Sequence, residues 1–356
     1  MTIKLDDTTQ YTNFDPDGML QTICDLPKQA QDAWALAQSA PLPDTYKTIR
    51  RIVVTGMGGS AIGADLVSGL LKRKGRVSLE TVRGYDLPPY IAGKETLVVM
   101  SSYSGNTEET LSAFAQAQTR GTHLLALTTG GKIAQQAEAL GLPVWRFAYP
   151  STPRAAVGYS LTLLLGLCAR LEALPNVKPA LDEAIASMEA LQPTLVPEVP
   201  TAENRAKQLA KALEGRLPVI FGSGFLAAVA RRWKCQFNEN AKQWAVWDEL
   251  PELNHNAVVG FNLPKAITTD MTAVCLRSNL DHPRNQIRWD VTGKLLEKAN
   301  VPVHTASGQG ESALAQMLTL IHFGDFVSYY LAALNGADPT PIDNINLLKQ
   351  RLSEAK

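Results

Sequence analysis

Two stretches of this chain encode the same local structure. Residues 51–71 are RIVVTGMGGSAIGADLVSGLL, and residues 218–234 are PVIFGSGFLAAVARRWK. Each begins with an apolar, β-branched run, turns through Gly-x-Gly, and continues as a helical pattern. Gly56 and Gly58 of the first correspond to Gly222 and Gly224 of the second, 166 positions downstream. An apolar run without polar alternation suits a strand buried on both faces, as in a parallel sheet. A chain carrying such a unit twice is expected to hold two copies of one α/β design.

The surroundings extend both copies. VSLETV, ETLVVM and HLLALTT (123–129) are further strand candidates, with helical EETLSAFAQAQTRG and KIAQQAEALG among them. After the second glycine turn come AITTDMTAVCLRS and VPVHTAS, separated by helical NQIRWDVTGKLLEKAN. Strands alternating with helices predict an α/β fold with two doubly wound parallel sheets. The proline-rich LQPTLVPEVPT (191–201) marks the expected boundary. The predicted organisation is a helical segment over 1–47, a first α/β domain over 48–190, a second over 201–335, and a helical tail over 336–356.

Composition narrows the class. The 34 basic residues balance 34 acidic ones, so no footprint of a nucleic-acid binder appears. The basic run KRKGR (72–76) is short and suits a solvated helix end. The longest uncharged stretch, 155–169, falls short of the ~20 residues that cross a bilayer, and is expected to be a buried helix rather than a membrane span. MTIKLDDTTQYTNF has no apolar leader. Cys24, Cys168, Cys235 and Cys275 are scattered, with neither CxxC nor HExxH, which predicts reduced thiols, a cytoplasmic setting and no local metal motif.

The chemistry concentrates in SSYSGNTEET (101–110), at the end of a predicted strand. Ser101, Ser102, Ser104 and Thr107 can offer neutral O–H donors around one anion. Gly105 permits a tight turn. One such hydroxyl, with Glu108 or Glu109, would suffice to cap the following helix; several together point to a ligand. The first glycine turn adds backbone N–H groups at Gly58 and Gly59 and a hydroxyl at Ser60, a natural phosphate site at a helix start. The corresponding place in the second copy is LRSNLDHPRNQ, poor in hydroxyls, so one copy is expected to keep the anion cradle and the other to serve another purpose. GMGGSA also satisfies G-x-G-x-x-A, with Glu80 near the end of the next strand, which leaves an NAD-dependent dehydrogenase as an alternative.

Together and in this order, GMGGSAIGADL, SSYSGNTEETL, PRAAVGYSL, NENAK and ELNHN resemble the bifunctional phosphoglucose/phosphomannose isomerase family. Its members contain two sugar isomerase (SIS) domains, and the similarity runs from about residue 14 to the C-terminus. The resemblance implies interconversion of glucose 6-phosphate, and mannose 6-phosphate, with fructose 6-phosphate through a cis-enediol, without metal or cofactor. It implies that Glu239 in FNENAK is the base and that His255 in ELNHN opens the sugar ring. It further implies that Arg154 in STPRAAVGY stabilises enediolate charge and that Lys349 in NINLLKQRL lines the site. In related enzymes the histidine comes from the partner subunit, so a homodimer is expected. A non-catalytic SIS-type sugar-phosphate sensor is the second alternative; such a sensor would not need Glu239 and His255 together.

Overall fold

A computed structural model describes residues 3–354. Five parallel strands form the first sheet: β1 (Arg51–Thr55), β2 (Ser78–Val82), β3 (Thr96–Ser102), β4 (His123–Thr128) and β5 (Val144–Arg146), in the order β2-β1-β3-β4-β5. Four parallel strands form the second: β6 (Leu217–Ser223), β7 (Val246–Leu250), β8 (Met271–Arg277) and β9 (Val303–Ser307), in the order β7-β6-β8-β9. The doubly wound parallel architecture expected from the two glycine-turn units is therefore present. All seven residues of β3 are buried, which is why its sequence shows no polar alternation. In each sheet the strand order reverses at the central pair, β1/β3 and β6/β8. The crevice outside the carboxyl ends of such a pair is where open α/β sheets bind ligands.

The helices used below are α1 (Leu26–Ser39), α2 (Gly58–Lys74), α3 (Glu108–Thr119), α4 (Gly131–Ala139), α5 (Val157–Arg170), α6 (Val177–Leu191), α7 (Arg205–Leu213), α8 (Ala227–Glu239), α9 (Pro283–Lys298), α10 (Ala313–Leu334) and α11 (Asp343–Glu354). Helices α2 and α8 follow the two glycine turns. Helix α5, predicted as buried, packs between α1 and α2. Helix α10 has the length and hydropathy of a membrane span, but 89% of its most apolar window is covered by the protein, as in a core helix. It packs on α6, α7 and α8 and joins the two halves. One apolar core accordingly contains Ile52 and Leu66 of the first half with Trp233, Ile321 and Phe326 of the second. Residues 191–201 run along this core, with Leu195 tucked into it.

The α8–α10 crossing is tight. A Cβ on Gly324 would lie 2.2 Å from the Trp233 indole, so only glycine admits that ring. The indole N–H then donates to the Leu320 carbonyl at 2.9 Å. This crossing places the buried Asp325 and Ser328 of α10 against the C-terminal half of α8, directly behind the candidate site.

Helix α11 stands apart. None of its residues is buried, and Ile345, Leu347, Leu348 and Leu352 all face solvent.

Candidate active site

The first crevice is shaped by glycine. Gly58 opens α2 at φ +50°, and a Cβ on Gly59 would lie 2.4 Å from the Pro153 carbonyl oxygen and 2.8 Å from the Arg154 nitrogen. The start of α2 therefore lies directly on the backbone that carries Arg154. Gly105, at φ +67°, lets the loop after β3 touch the start of α4, where a Cβ would collide with the Gly130 oxygen. A helix leaves its first-turn N–H groups without internal partners, and the loop after β3 meets that turn of α2 where the Tyr103 N–H donates to Ser60 Oγ at 3.0 Å.

The hydroxyls divide into two sets. Ser101 Oγ donates to the Ser60 carbonyl at 2.8 Å, tying β3 to α2. Its proton is spent there, so the expectation that Ser101 offers a free donor to an anion is corrected. Successive strand residues face opposite ways, and Ser101 is the one turned toward α2. Ser60 Oγ accepts from the Tyr103 N–H at 3.0 Å and keeps its own proton. Ser102 and Thr107 share a hydrogen bond of 2.8 Å, which leaves one of their two protons for a ligand. Ser104 is exposed; its oxygen accepts from the Asn106 N–H at 3.3 Å and its proton is unassigned. Thr107 is the residue before α3, but its side chain makes no capping bond, so capping does not account for the hydroxyl cluster.

Arg154 and Glu239 come together. Arg154 is only 3% exposed, and its Nη1 lies 3.6 Å from Glu239 Oε2. Its other nitrogens are held by Asn240 Oδ1 (from Nε, 2.7 Å) and by the carbonyls of Pro339 and Thr340 (from Nη2, 2.6 and 2.9 Å). Nη1 is buried and has no hydrogen-bond partner among the described residues. An unmatched buried donor beside a carboxylate is the sort of group that a ligand oxygen satisfies. Burial pushes the Arg154 pKa below the ordinary arginine value, and Glu239 opposes that shift. Glu239 ends α8, and Lys242, in the left-handed region at φ +53°, folds its amine back onto the Glu239 carbonyl at 2.6 Å.

His255 and Lys349 are placed differently. His255 is exposed in the 3-10 turn Glu252–His255 that follows β7, and makes no side-chain hydrogen bond among the described residues. Lys349 is exposed on α11. Among the described residues, neither makes a hydrogen bond or ion pair with Glu239.

The second crevice is occupied by the protein itself. Gly224 repeats the turn of Gly58, at φ +53°. In the loop after β8, Asp281 accepts hydrogen bonds from Ser223 Oγ, from Trp289 Nε1 at 3.2 Å and from Asn285 Nδ2 at 3.2 Å. A carboxylate of the chain thus sits against the turn that corresponds to the first copy's open cradle.

The dinucleotide reading loses its acidic partner. Glu80 lies mid-strand, paired in register with Val53, and its carboxylate accepts from the Tyr90 hydroxyl at 3.1 Å. It does not stand at the end of β2, where a ribose-binding acid is needed.

The sequence pattern did not single out Asn240, Lys242, Arg232 or Asp325. The available signal was their spacing: Arg232, Gln236 and Asn240 fall at i, i+4 and i+8 on α8, an unusually polar stripe on a buried face.

The chain is similar to known proteins along nearly its whole length. Residues 202–352 match the model of the bacterial phospho-glucose isomerase C-terminal SIS domain. The bifunctional phosphoglucose/phosphomannose isomerase of Caldicellulosiruptor bescii is 40% identical over 95% of this chain and 100% of its own length. That of Aquifex aeolicus is 34% identical over 85% of this chain and 90% of its own. The crystal structure of a hypothetical protein from Thermus thermophilus shares the fold, with a TM-score of 0.76 at 17% identity, covering 98% of this chain and 93% of that one. Identity of this extent over whole chains, on two parallel sheets with paired glycine turns, makes the chain a member of the bifunctional phosphoglucose/phosphomannose isomerase family.

Proposed function

We infer that this chain interconverts glucose 6-phosphate and mannose 6-phosphate with fructose 6-phosphate through a cis-enediol. The observation that carries the reading is the Arg154–Glu239 pair, held against the first turn of α2. The reaction moves one proton between C1 and C2 and needs a base, a stabiliser of the enediolate and a group that opens the ring. The N–H groups of Gly58 and Gly59, with hydroxyls from Ser60, Ser102, Ser104 and Thr107, hold the 6-phosphate. Glu239 carries the proton. Arg154 Nη1, the unmatched donor, faces the enediolate oxygens.

His255 opens the ring from a second copy of the chain. The support is its exposed turn, which runs directly into a second exposed turn where Val259 is 83% exposed. Lys349, on the uncovered helix α11, joins the site in the same assembly. Mixing chains that carry Glu239→Gln with chains that carry His255→Ala tests this arrangement. Reassorted dimers regain one intact site each, so activity returns to about a quarter of wild type. No recovery on mixing removes the shared site.

The function is tested directly by incubating the protein with each hexose 6-phosphate in EDTA, without nicotinamide, and following fructose 6-phosphate. Product forms from both aldoses. Dependence on added metal or NAD, or the absence of product from any hexose 6-phosphate, overturns the reading.

A further inference from the structure

We propose that Asn240 is a positioning residue that fixes Arg154 without neutralising it. The proposal rests on the isomerase reading of Arg154 and Glu239. Two arginines lie buried side by side here, and they are treated in opposite ways. Arg232, 2% exposed, has a carboxylate of its own: Nη2 donates to Asp325 Oδ2 at 2.6 Å, while Nη1 reaches the Arg154 carbonyl at 3.2 Å. All three hydrogen-bond acceptors of Arg154 are neutral, namely the Asn240 amide and two backbone carbonyls. The charged group facing it is Glu239, at 3.6 Å, beyond hydrogen-bond length.

Asn240 is suited to this task. It is fully buried at the end of α8, and both ends of its amide are used: Oδ1 accepts from Arg154 Nε at 2.7 Å, and Nδ2 donates to Ser328 Oγ at 3.0 Å. Ser328 Oγ in turn donates to the Asp325 carbonyl at 2.7 Å. The amide is thus locked in orientation by α10 and locks the guanidinium plane in turn. Its oxygen aligns Nε and leaves Nη1 directed at Glu239. An aspartate of the same shape would align Nε equally well but would place a negative charge against the guanidinium, in a site where water screens little. Most of the cation's pull on an enediolate would then be cancelled. Beside a buried guanidinium a purely structural acceptor can equally be a carboxylate, as Asp325 is for Arg232.

The test separates charge from structure. Asn240→Asp keeps the acceptor and adds an ion pair but loses the Nδ2 donor to Ser328 Oγ, whose proton must turn from the Asp325 carbonyl to the new carboxylate, so its melting temperature falls no further than that of Ser328→Ala. Its kcat for glucose 6-phosphate falls about tenfold to a hundredfold, with KM within about threefold, as for lost electrostatic stabilisation confined to the transition state. Ser328→Ala removes the other contact of the amide; it lowers the melting temperature but leaves kcat within about threefold. Asn240→Asp with near-wild-type kcat, a loss confined to KM, or a protein that does not fold each overturns the proposal. So does a Ser328→Ala loss in kcat as deep as that of Asn240→Asp, since the polar cluster would then act only as a structural unit. Wild-type protein that isomerises no hexose 6-phosphate overturns the functional reading and this inference with it; an active wild type with an unaffected Asn240→Asp overturns this inference alone.

Discussion

Replacing Glu239 with glutamine lowers kcat for both glucose 6-phosphate and mannose 6-phosphate by about 10²–10⁴-fold, the usual worth of a positioned general base. The substitution keeps the side chain's size at the end of α8 but removes its capacity to accept the C2 proton. Arg154 stays in place, because Asn240 and the carbonyls of Pro339 and Thr340 hold it independently of Glu239. Sugar-phosphate binding persists as well, because the cradle belongs to the loops after β1 and β3. The direct measurement is deuterium uptake at C2 from heavy water. Exchange at near wild-type rate in Glu239→Gln places the base elsewhere. Loss of only one of the two activities requires two bases and removes the single-enediol scheme.

Arg154→Met has the next largest effect. Removing one preorganised charge donor at a developing oxyanion costs about 10²–10³-fold in kcat, and the phosphate contacts keep KM near its original value. The same change leaves the buried Asn240 Oδ1 without its donor and takes one donor each from the carbonyls of Pro339 and Thr340. Such an orphan costs about 1–3 kcal/mol, so thermal melting falls too. Arg154→Lys restores the charge but not the fork that spans Asn240 and the 339–340 carbonyls, and recovers only part of the activity. A kcat within tenfold of wild type in Arg154→Met, measured on folded protein, shows that enediolate charge is met by another group.

The strand–glycine–helix units were legible because two local signals coincide there, an apolar run and a turn that only glycine makes. Strand β7, VWDEL, was not. It lies at the sheet edge with β6 as its one neighbour, so polar side chains are tolerated and the apolar signature fades. β5, with three residues, is too short to announce itself. Within the site, Glu239 and Arg154 carried family motifs, but their pairing spans 85 positions and depends on how α8 meets the start of α5. Asn240 looked like the end of a helix; its bond to Arg154 depends on that same packing. Ser101 looked like its neighbours in a hydroxyl-rich string, and only the strand's alternation shows that it turns inward. The side chains of His255 and Lys349 are both exposed in the single chain, so no intrachain pattern could place them.

Asp281 makes the two halves unequal in a thermodynamic sense. A carboxylate tethered to the loop after β8 cannot diffuse away, so its effective concentration at the Gly224 turn is fixed by the chain and independent of the medium. Any free anion would have to compete with a permanent resident there, whereas at Gly58 it competes only with water. On the isomerase reading the duplicated chain then has one exchangeable anion site rather than two. Its second half would stay in one arrangement at every substrate concentration, a fixed wall beside the half that fills and empties.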